Sequence, residues 1–301
     1  MGNRFLFIHN PEVSLMPSAE ELVRSCASIP TLPEIYVHVR NAVDNLGSTG
    51  DHLADVIKRD PALAAGLLRV ANDPRHGFPQ QIDTIEGAVH LIGPQAVADV
   101  VGAATVGRTF SGMPAYLMDA AKFWRKSLLC ALLAGKIAES SGLDHGECSY
   151  TAGLFRDIGH LILYQTVPQR AQSALIEAGY LETSLADVEQ SNIGCDFAEV
   201  GGEFLRSLGL PLQLERAVRW QLNPSKAGDF ALQASIVHLA GAIADHEEPV
   251  ETTRRPGWLS LHPDAVAAIK FAPASIPTLL TEAQTDLQQV LRLVSPLAKA
   301  A

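Results

Sequence analysis

Apolar residues recur at helical spacing along nearly the whole chain, and the polar residues between them fall where helices begin and stop. Ser18-Ala19-Glu20-Glu21 has the pattern of a capping box, with Ser18 as N-cap and Glu21 at the third helical position, and predicts a helix over 18–27. After Pro30 and Pro33 the helical period resumes over 34–46 and ends at Gly47-Ser48-Thr49-Gly50. A short amphipathic helix over 51–59 is stopped by Asp60-Pro61. Pro61 then suits the first turn of the next helix, where its missing amide donor would be unpaired anyway. In that helix, over 62–71, Leu63, Leu67 and Leu68 share one face and Arg69 lies off it.

Thr84 caps a further helix that ends near Ile92-Gly93-Pro94, and another runs over 94–110. The longest patterns cover 116–141, 149–165 and 168–178, with shorter ones at 184–193, 196–208, 211–221 and 229–246. A Pro/Gly/Arg-rich link over 247–258 leads to helices at 263–271 and 277–294. No window alternates with strand period for long enough to build a sheet, so the expected fold is all-α with about a dozen helices.

Composition narrows the function classes. Of 301 residues, 47% are hydrophobic and 19% charged, which describes a globular chain and not a disordered one. A net charge of −10 argues against a broad nucleic-acid surface, because phosphate binding needs concentrated positive charge. Cys26, Cys130, Cys148 and Cys195 form no CxxC pair and fit a reducing cytoplasm, with Cys130 read as a small core residue. The apolar block in Met1-Gly2-Asn3-Arg4-Phe5-Leu6-Phe7-Ile8 is too short for a secretion signal. The best candidate for a membrane span, over 90–106, is interrupted by Gln95 and Asp99 and reads as a buried helix.

Candidate chemistry centres on Gly153-Leu154-Phe155-Arg156-Asp157-Ile158-Gly159-His160-Leu161, where an aspartate follows an arginine inside an apolar helical run. Three elements in the first half accompany it. They are Ile29-Pro30-Thr31-Leu32-Pro33; Ile57-Lys58-Arg59-Asp60-Pro61-Ala62-Leu63 with Leu67-Leu68-Arg69-Val70-Ala71-Asn72; and Ile82-Asp83-Thr84-Ile85-Glu86-Gly87-Ala88-Val89-His90-Leu91-Ile92-Gly93. In this order and spacing they resemble the HDOD family, bacterial signalling domains related to the HD-type metal-dependent phosphohydrolases. The resemblance covers roughly residues 20–245 and implies a multi-helical, HD-like fold. It implies an N-terminal extension (1–17), an HDOD domain (18–246) made of a helical bundle (18–113) and a degenerate core (114–246), and a C-terminal helical extension packed on the core (247–301).

Against the metal site of catalytic relatives, the matching positions here carry Lys126 and Arg156 where histidines would stand, with Asp157 kept. Phe197 and the pair Gln221-Leu222 fall where histidines are frequent, and Gly241 falls where a final aspartate would be. Lysine and arginine have no lone pair for a metal at neutral pH, and phenylalanine and glycine offer no ligand, so Asp157 alone remains of the expected set. The resemblance therefore implies a non-catalytic cytoplasmic module with no cofactor and no bound metal, meeting partners in trans such as receiver or cyclic-di-nucleotide proteins.

Other readings stay open. Asp157 could tie helices together through Lys126 and Arg156. Lys126, Arg156 and Arg219, with Arg125 beside them, could accept a nucleotide phosphate. Asp157, His160 and His238 could form a rebuilt metal site in a residual phosphohydrolase. Trp124, Trp220 and Trp258 read as packing anchors, and His145, His246 and His262 as surface residues.

Overall fold

A computed structural model describes residues 16–26, 50–76, 78–105, 114, 116–142, 146–181, 183–247 and 261–294, with only the backbone of 50–52, 94–95, 98–105 and 292–294. The expected helix over 34–46 and the link over 247–258 lie outside the described residues. Among the described residues every regular element is helical, and the fold is all-α.

The N-terminal part holds α1 (Ala19–Ser25), α2 (Gly50–Ile57), α3 (Pro61–Ala71) and α4 (Ile85–Thr105). Local chemistry sets their ends as the sequence indicates. Glu21 N donates to Ser18 Oγ while Ser18 N donates to the Glu21 carboxylate, completing the capping box of α1. Pro61 takes the first turn of α3, and Asp60 Oδ1 accepts the amides of Ala62 and Leu63 at 2.8 and 3.0 Å. The break expected at Gly93 is a kink inside α4, where Gly93 has φ of 78°, a conformation that favours glycine.

The core is organised around α5 (Ala120–Ser140), whose Trp124, Leu129, Leu133 and Ile137 are buried. Against it pack α6 (Gly146–Leu154), α12 (Ala231–Glu247) and α14 (Ile276–Val294). A second group, α7 (Ile158–Thr166), α10 (Phe197–Ser207) and α11 (Leu212–Arg219), closes the other side, with α1 lying on α7 and α10. Next to these come α8 (Pro168–Leu181) and α9 (Leu185–Asn192), and α13 (Pro263–Ala268) covers α12. One hydrophobic cluster runs from Leu22 and Leu53 to Leu287, so the N-terminal helices share the core of the rest. Trp124 is the anchor between the two parts: its indole Nε1 donates to the buried Asp60 Oδ2 at 3.1 Å.

Two expectations need correction. The helix expected over 149–165 is broken at Phe155-Arg156-Asp157, where Arg156 N and Ile158 N each donate to the carbonyl three residues back. Apolar periodicity runs across this turn, so the pattern alone hides it. Asp157 is consequently the N-cap residue of α7 and not a mid-helix aspartate, and its carboxylate makes no capping bond. Among the described residues, the helical stretch long and apolar enough to cross a membrane is Pro224–Glu247, and not the candidate over 90–106. Its Ile236, Val237, Leu239, Ala240, Ile243 and Ala244 are buried in the protein core, as expected of a core helix.

Candidate functional site

The turn between α6 and α7 carries the site. Successive residues within a helix diverge by about 100°, but the turn at 155–157 lets Arg156 and Asp157 meet. Arg156 Nη1 donates to Asp157 Oδ1 at 2.6 Å. Lys126, from the middle of α5, brings Nζ to 3.0 Å from Asp157 Oδ2. Lys126, Arg156 and Asp157 are all buried.

A second carboxylate enters that the sequence reading had missed. Asp245, one turn beyond Gly241 on α12, accepts from Lys126 Nζ at 2.8 Å. It also takes Arg156 in a bidentate grip, with Nη1 at 2.9 Å and Nη2 at 2.6 Å. Asp157 is thus joined by a carboxylate from outside the positions where the resemblance places metal ligands. Gly241 contributes by absence: a Cβ there would lie 2.6 Å from Arg156 Nε, so the glycine makes room for the guanidinium. Asp245 keeps 42% of its side-chain surface accessible, whereas Asp157 keeps 1%, so the cluster opens toward solvent on the α12 side.

Gln221, just past α11, locks the arginine from behind. Its Oε1 accepts from Arg156 Nε at 3.0 Å, and its Nε2 donates to the Arg156 and Val218 carbonyls at 2.9 and 3.0 Å. Phe197, at the start of α10, lies under the guanidinium, 5.2 Å from ring centroid to Arg156 Cζ. The same ring stacks on His160 with centroids 4.2 Å apart. Leu222 packs against the core and adds no polar group.

His160 extends the cluster to α9. Its Nδ1 is 3.6 Å from Asp157 Oδ1 and its Nε2 3.3 Å from Glu189 Oε1. Glu189 is itself buried and its Oε2 accepts the Phe197 amide at 3.0 Å. Lys126, Arg156 and protonated His160 thus face Asp157, Asp245 and Glu189, and the charges balance. Glu189 is a further member that the sequence reading missed. The nearest signal was the amphipathic pattern of its helix, which cannot tell a core carboxylate from a solvated one.

The ionisation of the site follows from this balance. Burial works against charge on Asp157, but Arg156 and Lys126 outweigh it and hold its carboxyl well below the usual range. Burial likewise opposes charge on Arg156, and Asp157 and Asp245 more than compensate, so the guanidinium stays protonated. For His160 burial is again the largest influence, yet Glu189 and Asp157 prevail and raise its pKa to about 9. A raised histidine pKa contributes stability that is complete below the ordinary value of about 6.5 and is lost as pH rises through the folded value. Melting temperature should therefore decline between roughly pH 6.5 and pH 9, and His160→Gln should flatten that decline. Thermal melts across this range check it; the same slope in the variant would assign the loss to another group.

His238 does not join. Its Nε2 accepts the His262 amide at 2.9 Å, so Nδ1 carries the proton and donates to the Gln221 carbonyl at 2.8 Å. Burial lowers its pKa, consistent with a neutral ring. Both nitrogens are thus committed to backbone groups, and Asp157, His160 and His238 do not converge on one point. His262 is correspondingly more than a surface residue, because its ring also caps α13 by accepting the Asp264 amide. Arg219 is likewise elsewhere: its ion pairs are with Glu203, at 3.0 Å, and Glu215. The expected grouping of Arg219 with Lys126 and Arg156 is corrected accordingly. Cys130, fully buried, has its thiol pushed up to about 12 by burial and is inert.

These residues do not fit a hydrolytic metal. An ammonium and a guanidinium fill the space between the two carboxylates, and neither offers a lone pair to a cation. Among the described residues no group of three or more histidine, cysteine, aspartate or glutamate side chains is placed to hold one.

Fold and site together define an all-helical domain with a buried central cluster of ion pairs. The HDOD domain family matches residues 29–224, and the chain belongs to that family. In structure it is similar to the MmoQ response regulator of Methylococcus capsulatus, with a TM-score of 0.66 and 24% identity over 85% of this chain and 98% of that one. It is also similar to an HDOD domain protein of Geobacter sulfurreducens, with a TM-score of 0.55 and 19% identity over 93% and 96% of the two chains. A curated protein of Treponema pallidum named only as uncharacterized is 21% identical over 239 residues, which make up 75% of this chain and 45% of that protein. The chain thus spans a little under half the length of that relative.

Proposed function

We propose that this protein is a non-catalytic signal-transduction module that works by binding other proteins, its ancestral metal site replaced by a salt-bridge cluster. The observation that carries the reading is the placement of Lys126 Nζ and the Arg156 guanidinium between Asp157 and Asp245, at 2.6–3.0 Å. A hydrolytic site needs an open coordination position and an activated water. Here the carboxylates that could serve a metal are neutralised by fixed cations, and the guanidinium is held on three sides by Asp245, Gln221 and Phe197. A phosphate ligand would have to displace Asp245 from both cations, which weighs against the nucleotide-sensing alternative.

Family membership supports a signalling role, and the similarity to a response regulator accords with it. Free cysteines at 26, 130, 148 and 195 suit a reducing compartment such as the cytoplasm. Partners would be signalling proteins met in trans, receiver or cyclic-di-nucleotide proteins among them. Elemental analysis of the purified protein with a phosphodiesterase assay tests the non-catalytic claim. The expected result is no stoichiometric transition metal and no turnover with added Mn²⁺ or Fe²⁺; bound metal with turnover that Asp157→Asn abolishes would overturn it.

A further inference from the structure

Two backbone amides at the head of α13 rest on imidazole nitrogens. His262 N donates to His238 Nε2 at 2.9 Å, and Asp264 N donates to His262 Nδ1 at 3.2 Å. Pro263 between them has no amide to place. His238 belongs to α12, so the first of these bonds fastens one helix to the next, and the two rings meet edge to face with centroids 5.9 Å apart. Apolar contact holds this turn lightly. Within α13 only Ala265 is buried, and a methyl group is a small anchor. The helix that follows is held on its own account, by buried Leu279, Ala283 and Leu287 and by an ion pair from Lys136 Nζ to Asp286 at 2.8 Å.

An imidazole accepts an amide only while it is neutral, because imidazolium carries a proton on both nitrogens. His238 already donates from Nδ1 to the Gln221 carbonyl, so a second proton can go only to Nε2, the atom that receives the His262 amide. Protonation would set one N–H against another at the joint between α12 and α13. The charges acting on His238 are Arg156 from the α6–α7 turn, His262 at the head of α13 and Asp245 on its own helix. Lys126 of α5 is paired with Asp157 and Asp245, while Glu147 of α6 and Lys226 and Asp229 of the turn at 224–230 are exposed. Burial pushes the His238 pKa down and Arg156 and His262 act the same way; the Gln221 carbonyl and Asp245 do not offset them.

We propose that His238 is a proton-operated latch: neutral, it holds the head of α13 on α12, and protonated, it lets that turn go while α14 stays docked. A histidine whose pKa is lowered in the closed form gives a stability that is complete above the ordinary value of about 6.5 and is lost as pH falls below it. This acid response is opposite in sign to the alkaline one that His160 governs. It is independent of the ion cluster and of whether the protein is catalytic.

Hydrogen–deuterium exchange on the full chain tests it, at about pH 7.5 and about pH 5 with rates corrected for the intrinsic effect of pH. Val266 N and Ala265 N both donate to the His262 carbonyl in the first turn of α13, at 3.2 and 3.0 Å. Their protection should fall about tenfold in acid, the loss of one hydrogen bond, while Ala283 and Leu287 in α14 keep theirs. His238→Gln supplies a donor and an acceptor that do not titrate, and should keep α13 protected at both pH values. Equal protection of α13 at both pH values in the unmodified protein would overturn the proposal, as would a loss that α14 shares, which is general acid unfolding. A fall that persists in His238→Gln would also overturn it and assign the acid response to another group. The comparison of α13 with α14 in the unmodified protein decides the matter even where His238→Gln does not fold.

Discussion

Asp157→Ala is expected to destabilise the protein by about 3–5 kcal/mol, the usual cost of removing one partner from a buried ion pair. For a chain of this size that corresponds to a fall in melting temperature of roughly 10 °C. The reason is the charge balance around the α6–α7 turn. With Asp157 gone, Lys126 and Arg156 must share Asp245, and His160 keeps only Glu189. A buried cation would be left short of its counter-charge, which is the expensive case. Asp157→Asn keeps the shape and should cost less than the alanine but clearly more than zero, separating lost charge from lost packing. Thermal and urea denaturation measure both variants, and an unchanged melting curve for Asp157→Ala would remove the ion cluster from the account of stability.

Gly159→Ala should have an effect of similar size for a different reason. An added Cβ would fall 1.9 Å from the Phe197 carbonyl oxygen and 2.8 Å from the Gly201 amide nitrogen. Both are backbone atoms and cannot rotate away, so α7 and α10 must separate. Overpacking of this kind costs about 3 kcal/mol where the backbone has to shift. The consequence reaches the site, because Phe197 stacks on His160 and underlies Arg156. The expected outcome is a lowered melting temperature with a changed near-ultraviolet circular dichroism spectrum, and a wild-type spectrum and stability would contradict the close crossing.

The helical skeleton was legible because its signals are local. The Ser18–Glu21 box, Asp60-Pro61, Thr84 and the kink at Gly93 all depend on residues a few positions apart, and each does in the structure what its spacing indicates. The break at 155–157 was not legible. Nothing in Phe155-Arg156-Asp157 resembles a helix stop, and the apolar period runs straight through. What imposes the turn is tertiary: the arginine and the aspartate both find partners only when they leave helical register.

The site was legible in half. Lys126, Arg156 and Asp157 stood out as departures from a recognisable pattern, and they do meet. Asp245 escaped because that pattern ends at Gly241, although a carboxylate four residues further on lies on the same helical face. Glu189 escaped because its partner, His160, belongs to a different helix and no sequence spacing links them. Arg219 shows the opposite error: a basic residue near the right segment was grouped with the site, while Glu203 and Glu215 hold it elsewhere.

The central claim, that fixed side-chain cations stand where a metal would bind, is tested most directly by melting the protein with increasing Mn²⁺, Fe²⁺ or Zn²⁺. A ligand that binds only the folded state raises stability with its concentration, by about 2.7 kcal/mol at a hundredfold excess over its dissociation constant. The account predicts no rise in melting temperature with any of the three ions. A saturable rise that Asp157→Asn or Asp245→Asn eliminates would show that the carboxylates release their cations to a metal, and would contradict it.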